Sequence, residues 1–468
     1  MFAFSFSRSG VTAIKLSQIV PISVAPSRPL ESLMNAATYT IETTRRLLTD
    51  EEFKGRHRVN DQVFTRVRCL PFALVLVLIL RNSVKSLQNV VNEAMSWLSA
   101  DPVTASAFSQ ARYKLKHTAF IELNQKAVVE SRYREAPFQT FWGLRVLAID
   151  GAKVLLPNTD EVRETFGTIA YSNGKDSPVH GEHPYALASV LYDVLNRVAL
   201  DATLGPANAY EVDLAIDHLA HTGPTDVLVM DRNYPSYRML AELTQRERHF
   251  VIRCSAASFG AARRMLRGEG PDSPLVTLTP CSSQAPLMRQ QGLPLRLTVR
   301  FVRVRLSTGE SEVLVTSLCD ERAYPTADFL AFYHQRWGVE TFYGVLKTRL
   351  ELENFSGLEA EAVRQDFHAA VYLTGLEAIL TEAPQAGLEA RPTRHPQSIN
   401  RAVSFNAIKH QALDLLWSTL ATQAVIERLT ALFLTNPTSA RPHRQPPRQK
   451  TSDRTLLNFH RRQKKHCY

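Results

Sequence analysis

The segment Tyr333-His-Gln-Arg336-Trp-Gly-Val-Glu340-Thr-Phe-Tyr-Gly-Val-Leu-Lys347 sets a phenol, a guanidinium, a carboxylate and an ammonium at successive spacings of three, four and seven. On one continuous helix, at ~3.6 residues per turn, Arg336, Glu340 and Lys347 fall ~300°, ~340° and ~320° around from Tyr333. All four polar groups then share an arc of ~60°. Glu340 and Lys347 are seven residues apart, too far for the i,i+4 pairing of a solvated helix face. A carboxylate flanked by cations and a phenol on one stripe suits the handling of phosphate.

Two aspartates add to this set. The apolar run Val146-Leu-Ala-Ile149 ends at Asp150, and Val227-Leu-Val-Met230 ends at Asp231. Each run is expected to be a buried strand whose terminal carboxylate projects from the sheet edge into a crevice. Either alone is an ordinary strand end. Together with Glu340 they make a set of hard oxygen donors suited to Mg2+ or Mn2+. Two such ions serve an in-line phosphoryl transfer by activating a water or 3′-hydroxyl and stabilising the leaving oxygen.

These motifs resemble those of DDE transposases of the insertion-sequence-4 group, whose catalytic core is ribonuclease-H-like. The signature of Tyr, two residues, Arg, three residues, Glu, six residues, Lys is matched at Tyr333, Arg336, Glu340 and Lys347. Ile149-Asp150-Gly151, with Leu156-Pro157-Asn158-Thr159 and Phe166-Gly167, resembles the region of the first acid. Met230-Asp231-Arg232-Asn233-Tyr234 resembles that of the second, and Ser106-Ala-Phe-Ser-Gln-Ala-Arg112 the N-terminal region. The resemblance spans roughly residues 60–380.

The resemblance implies Asp150, Asp231 and Glu340 as a metal-binding catalytic triad served by Mg2+ or Mn2+, two ions in all. It implies Tyr333, Arg336 and Lys347 as contacts to DNA phosphates near the cut. It further implies cut-and-paste transposition on double-stranded DNA, at the element's terminal inverted repeats and a target. A homodimer in the DNA complex and a cytoplasmic, nucleoid-associated place in a bacterium go with it. A metal-dependent nuclease or resolvase without strand transfer, or an inactive DNA-binding relative, are the alternative readings. Arg232 and Asn233 read as DNA contacts or as caps of the next helix, and Lys153 as a surface lysine. His180 and His183 are expected in a loop with no metal role, and Trp337 in the core.

Such a site needs elements to hold it. Residues 34–140 read as a helical N-terminal DNA-binding domain, with apolar positions at three and four through Leu70–Leu98. A helix over Ser106–Lys116, capped by Thr104, carries Gln110, Arg112, Lys114 and Lys116 for DNA or for solvent. Residues 141–434 read as the α/β catalytic domain, with further strands near Tyr185–Tyr192, Arg197–Thr203 and His249–Arg253. A helix is expected over Tyr210–Leu219, and another with Pro235 in its first turn. Within this domain, about 254–320 reads as an all-β insertion. There Arg296, Arg300, Arg303 and Arg305 interleave with apolar residues whose parity flips after Phe301, which suggests a bulge or a change of face. Those arginines fit phosphates or a solvated sheet face equally. Thr326–Leu350 is expected as one helix, followed by more helices to Leu434 and a disordered basic tail over 435–468.

Composition bounds the rest. At 468 residues, 44% hydrophobic and 21% charged, the chain can bury a core, which excludes collagen-like, coiled-coil and wholly disordered classes. The net charge of +10 is uneven: residues 441–468 hold nine Lys/Arg and one acid, leaving 46 basic and 44 acidic residues elsewhere. The basic character therefore belongs to the tail, and fits a polyanion or plain solvation. The longest apolar run, Leu70–Leu80, falls short of the ~20 residues of a spanning helix. Five cysteines lie far apart without C-x-x-C, which argues against a disulfide framework or zinc ribbon and fits a reducing compartment. Residues 1–33 read as an over-long start ahead of Met34, or as a transit or signal peptide, since residues 1–30 hold Arg8, Lys15 and Arg28 and no acid.

Overall fold

The computed structural model describes residues 30–66, 68–82, 85–134, 138–172, 180–306 and 308–440. The expected leader up to residue 29 and the tail from residue 441 lie outside the described residues.

One nine-stranded sheet carries the site. Its strands are β1 (Arg145–Leu155), β2 (Thr168–Ser172), β3 (His180–Asp193), β4 (Val198–Pro206), β5 (Asp226–Met230), β6 (His249–Cys254), β7 (Leu275–Leu278), β8 (Leu297–Arg305) and β9 (Ser311–Thr316). The order is β2-β3-β1-β5-β6-β9-β8-β7, with β4 also paired to β3. β1, β5 and β6 are mutually parallel, whereas β3 runs antiparallel to both β1 and β4. This is an α/β core, the fold class expected of residues 141–434. The central runs are apolar at every position because helices cover both faces. Val146 and Ala148 join one core, Leu147 and Ile149 the other.

The segment 254–320 departs from the all-β expectation. It carries two short helices, Gly260–Leu266 and Ala285–Gln290, and its strands extend the main sheet through the β6–β9 pairing. Ala261, Ala262 and Met265 bury against the same core as Val299 and Phe301, so this helix is fixed by packing onto β8 and β9. The parity flip in β8 involves no bulge, since its register with β9 is unbroken from Arg300 to Arg305. Leu297, Val299 and Phe301 face one core, Val302 and Val304 the other. Arg300 and Arg303 are buried and serve structure rather than phosphate. Arg300 donates to Ser273 and to the Tyr324 carbonyl, both at 2.7 Å, and Arg303 pairs with Asp272 at 2.8 Å.

The N-terminal helices wrap the helix Ala360–Leu380, of which all but Glu361 and Arg364 are buried. Leu30–Thr49 and the wholly apolar, wholly buried Phe72–Leu80 both pack on it. At Gly375 a Cβ would stand 2.4 Å from the Val128 side chain, so only glycine lets the two segments approach this closely. Thr104 caps as expected, accepting from the Ala107 N–H at 3.1 Å, but the helix ends at Arg112. Arg112 does not reach toward DNA: it is 2% exposed and pairs with Asp366 at 2.8 Å. The start of the expected disordered tail is ordered, with Thr438–Ser439 pairing antiparallel to Gln397–Ser398. Among the described residues no helix is long and apolar enough to cross a membrane. The described cysteines are free thiols.

Candidate active site

The two aspartates meet where β5 stops. Pairing of β1 with β5 ends at Ala148↔Val229, while β1 continues beside β3 to Leu155. Asp150 therefore sits within a strand rather than at its end, but its β5 side is open, which makes the crevice. Its Oδ1 accepts from the Gly151 N–H at 2.9 Å. Asp231 directly follows β5, and its Oδ1 accepts from the Asn233 N–H at 2.8 Å, a local turn that holds the carboxylate at the strand end. Asn233 thus closes that turn, and Ser236 rather than Arg232 or Asn233 caps the next helix, Tyr237–Gln245. Pro235 lies just outside that helix rather than in its first turn.

The Leu156–Thr159 and Phe166–Gly167 motifs bracket a short helix, Asp160–Phe166. Thr159 caps it, and Gly167, at φ +79°, terminates it in a conformation that favours glycine.

The third acid comes from a helix that is broken. Instead of one helix over Thr326–Leu350 there are two, Phe329–His334 and Trp337–Thr348. Between them the Gln335, Arg336 and Val339 N–H groups bond three residues back, tightening the turn. Gly338 packs within 2.9 Å (virtual Cβ) of the Val194 side chain, so the second helix starts flush against β3's end. The stripe geometry of an unbroken helix is altered accordingly. Tyr333 turns inward, 5% exposed, and its hydroxyl donates to the Met230 carbonyl at 3.1 Å. That hydroxyl braces the residue before Asp231 and is not presented to a phosphate. Burial pushes the Tyr333 phenol up.

Arg336 does meet Glu340. Its Nη2 lies 2.5 Å from Glu340 Oε1 and its Nη1 3.9 Å from Asp150 Oδ2. Trp337 is exposed, contrary to the core placement expected, and the Arg336 guanidinium sits 5.2 Å from its ring centre. Lys347, seven residues on from Glu340, donates to the Lys153 carbonyl at 2.6 Å and lies 3.6 Å from Glu353. It borders the site along β1 rather than entering it. His180 and His183 lie in β3, where His183 faces Ile169 of β2, so the loop expected there is a strand pair.

Electrostatics ties these groups together. Asp150 is raised to about 7, first by burial, then by the charge of Asp231; Arg336 and the Gly151 N–H oppose, and Glu340 adds to the rise. Among the described residues no three acidic, His or Cys side chains converge closely enough to hold an ion. A physical cause is at hand: Arg336 stands between Asp150 and Glu340. The donors nonetheless fit a divalent cation. All are hard carboxylate oxygens, and the guanidinium already stands in for positive charge among them.

Three neighbours were given no role by the sequence reading, although Tyr234 stands in the motif around the second acid. Glu211, at the first turn of the helix Glu211–His218, is half-buried and raised by burial and by Asp231. Tyr234 is fully buried with no partner for its hydroxyl among the described residues, and the charges of Asp150, Glu211 and Asp231 act on it. Tyr343 places its hydroxyl 2.9 Å from the Asp150 carbonyl and 3.0 Å from that of Ala188. Tyr343 follows Glu340 by three, so it shares that helix face, which was the one available signal.

Comparison with known proteins bears on the same region. The family model described as a transposase DDE domain matches residues 141–374, half of the chain. InsZ of Escherichia coli (strain K12), which carries the name of a transposase, is 26% identical over 196 residues. That match takes in 40% of this chain and 62% of InsZ, so the chain spans less than two thirds of that relative's length. A cryo-EM structure of the piggyBac transposase synaptic complex with hairpin DNA superposes at a TM-score of 0.42 with 8% identity, over 92% of this chain and 88% of that one. That likeness is too slight to carry an argument.

Proposed function

The chain belongs to the transposase DDE domain family, and from that premise we propose that it is a DNA transposase whose catalytic acids are Asp150, Asp231 and Glu340. The observation that carries this reading is the meeting of Asp150 with Asp231 at the open end of β5, with Arg336 joining Asp150 to Glu340; burial first and the charge of Asp231 second lift Asp150 to about 7. Carboxylates that raise one another's affinity for a proton are relieved by a cation.

The three acids would hold Mg2+ or Mn2+, as a pair of ions, which when bound would polarise a phosphodiester and its attacking oxygen. The protein's own part is orientation and charge. Tyr333 and Tyr343 brace the backbones beside Asp231 and at Asp150. Arg336 offers a planar fork to a phosphate, and Lys347 a point charge further along the same helix. We assign Tyr333 to bracing and keep Arg336 and Lys347 as phosphate contacts. In this reading the substrate is the element's terminal inverted repeats, cut and then joined to target DNA by a homodimer that spans two ends.

A supercoiled plasmid bearing the inverted repeats that flank the gene tests this. With the full chain and Mg2+, inserted products support transposition. Cut ends without insertion would reduce the protein to a nuclease, and binding without cutting would reject the catalytic reading.

A further inference from the structure

We propose that Arg336 is a resident counter-ion of the acid site: it occupies the place between Asp150 and Glu340 that a divalent cation takes, and leaves those carboxylates when the cation binds. This rests on the assignment of Asp150, Asp231 and Glu340 as the metal-binding acids.

The geometry points to a cation exchange rather than a fixed ion pair. One guanidinium reaches both carboxylates, at 2.5 Å to Glu340 and 3.9 Å to Asp150. It is 6% exposed, yet its Nε has no partner among the described residues. The side chain is thus held by charge at one end and left unsatisfied at the other. The structural Arg112 is satisfied throughout, its Nε, Nη1 and Nη2 donating to Gln365, Ser356, Ala362 and Asp366, whereas the structural Arg303 shares the unpartnered Nε but pairs with one carboxylate, so the reach to two acids is what sets Arg336 apart. Glu340 lies four residues after Arg336 at the start of its helix, with its side chain 40% exposed, so that carboxylate has room to turn toward Asp150. Like charges brought together are relieved by a cation or a proton. Arg336 supplies one when no ion is present, and the arrangement keeps Asp150 and Glu340 apart until an ion arrives.

Displacement has a consequence for order. A guanidinium engaged with two carboxylates cannot also fork onto a phosphate. Ion binding releases it, so the phosphate grip follows the ion. Trp337 reports the move, because its ring lies 5.2 Å from the Arg336 guanidinium and half of its surface faces solvent.

The test uses the full chain, Mn2+ and no DNA, with tryptophan emission and calorimetry as readouts. Mn2+ is expected to change the emission of the wild type, and Trp337→Phe is expected to remove that change while still binding the ion. Arg336→Gln is expected to bind Mn2+ several-fold more tightly, having lost the competitor. Arg336→Lys, which keeps the charge and loses the fork, is expected to fall between. Equal or weaker Mn2+ binding by Arg336→Gln in a folded protein, or a Trp337 silent to Mn2+, overturns the counter-ion role. Failure of Asp150→Asn to weaken Mn2+ binding overturns the acid-site assignment itself, so the two failures are distinguishable.

Discussion

The Tyr333 hydroxyl donates to the Met230 carbonyl across 3.1 Å, which ties the helix ahead of Glu340 to the last residue of the strand that delivers Asp231. Tyr343 makes the matching tie from the following helix to Asp150. The elements that carry the three acids are thereby locked together by two phenols.

Tyr333→Phe should leave affinity for end DNA unchanged, since its hydroxyl is engaged with backbone. Loss of one buried hydrogen bond should cost about 0.5–1.5 kcal/mol of stability, and cleavage should slow as Asp231 loses its brace. Binding titrations beside thermal melts decide the matter. A large loss of DNA affinity at unchanged melting temperature would restore a direct phosphate contact.

Asp150 makes stability depend on pH. Its folded value of about 7 lies above its ordinary 3.8, so between these values the folded chain binds more protons than the unfolded one. Stability from this group therefore falls as pH rises from about 4 to about 7. Asp150→Asn should melt higher than wild type at neutral pH, with the gap closing toward pH 4. Protons also compete with the ion, so Mn2+ affinity of the wild type should weaken below about pH 7. A gap that stays constant with pH would refute the assignment of this titration to Asp150.

Asp150→Ala, Asp231→Ala and Glu340→Ala should each abolish strand cleavage while binding to the ends persists, because the DNA contacts other than Arg336 need no ion. Gel-shift and plasmid-nicking assays on the same preparations separate the two. Mg2+-dependent nicking retained by any one of them removes that residue from the triad.

Arg112→Ala should be strongly destabilising, by on the order of 3–5 kcal/mol, because it strands the buried Asp366 carboxylate. Urea denaturation reads this directly. A change below about 1 kcal/mol, the scale of an exposed pair, would show that the pair is open to solvent.

Removing residues 441–468, which hold nine Lys/Arg and one acid, should flatten the salt dependence of DNA binding. Each phosphate released from neutralisation lowers the slope by ~0.9. Identical slopes for the full and truncated chains would leave the tail without a DNA role.

The two aspartates were legible because each stands beside an uninterrupted apolar run, and such runs mark strands buried on both faces without reference to the rest of the chain; Glu340 was legible only through its spacing from Tyr333, Arg336 and Lys347. The β6–β9 extension of the sheet was legible only in part, since strand alternation shows in Leu295–Leu306 but the pairing partner does not. The break before Trp337 left no local trace. Phe329–Thr348 contains no proline, and the kink comes from contacts made far away in sequence, Tyr333 on Met230 and Gly338 on Val194. The buried arginines were misjudged for the same reason. Arg112 finds Asp366 254 residues away, and Arg300 finds Ser273 and Tyr324 across separate turns. Hydrophobic periodicity carries no information about such partners.

The helix Ala360–Leu380 is enclosed by segments from both ends of the chain and by the sheet between them. Thr44 meets Tyr372 at 2.8 Å, Gln365 donates to the Leu115 carbonyl at 2.6 Å, and Glu377 accepts from Ser404 at 2.7 Å. The N-terminal helices therefore cannot be lifted out as a cassette. Expressed alone they would bare the apolar flank of Phe72–Leu80, and grafted onto another catalytic core they would find no axle to close around. Exchange of recognition specificity between relatives should then proceed by surface substitution, residue by residue, and not by swapping the front half of the gene.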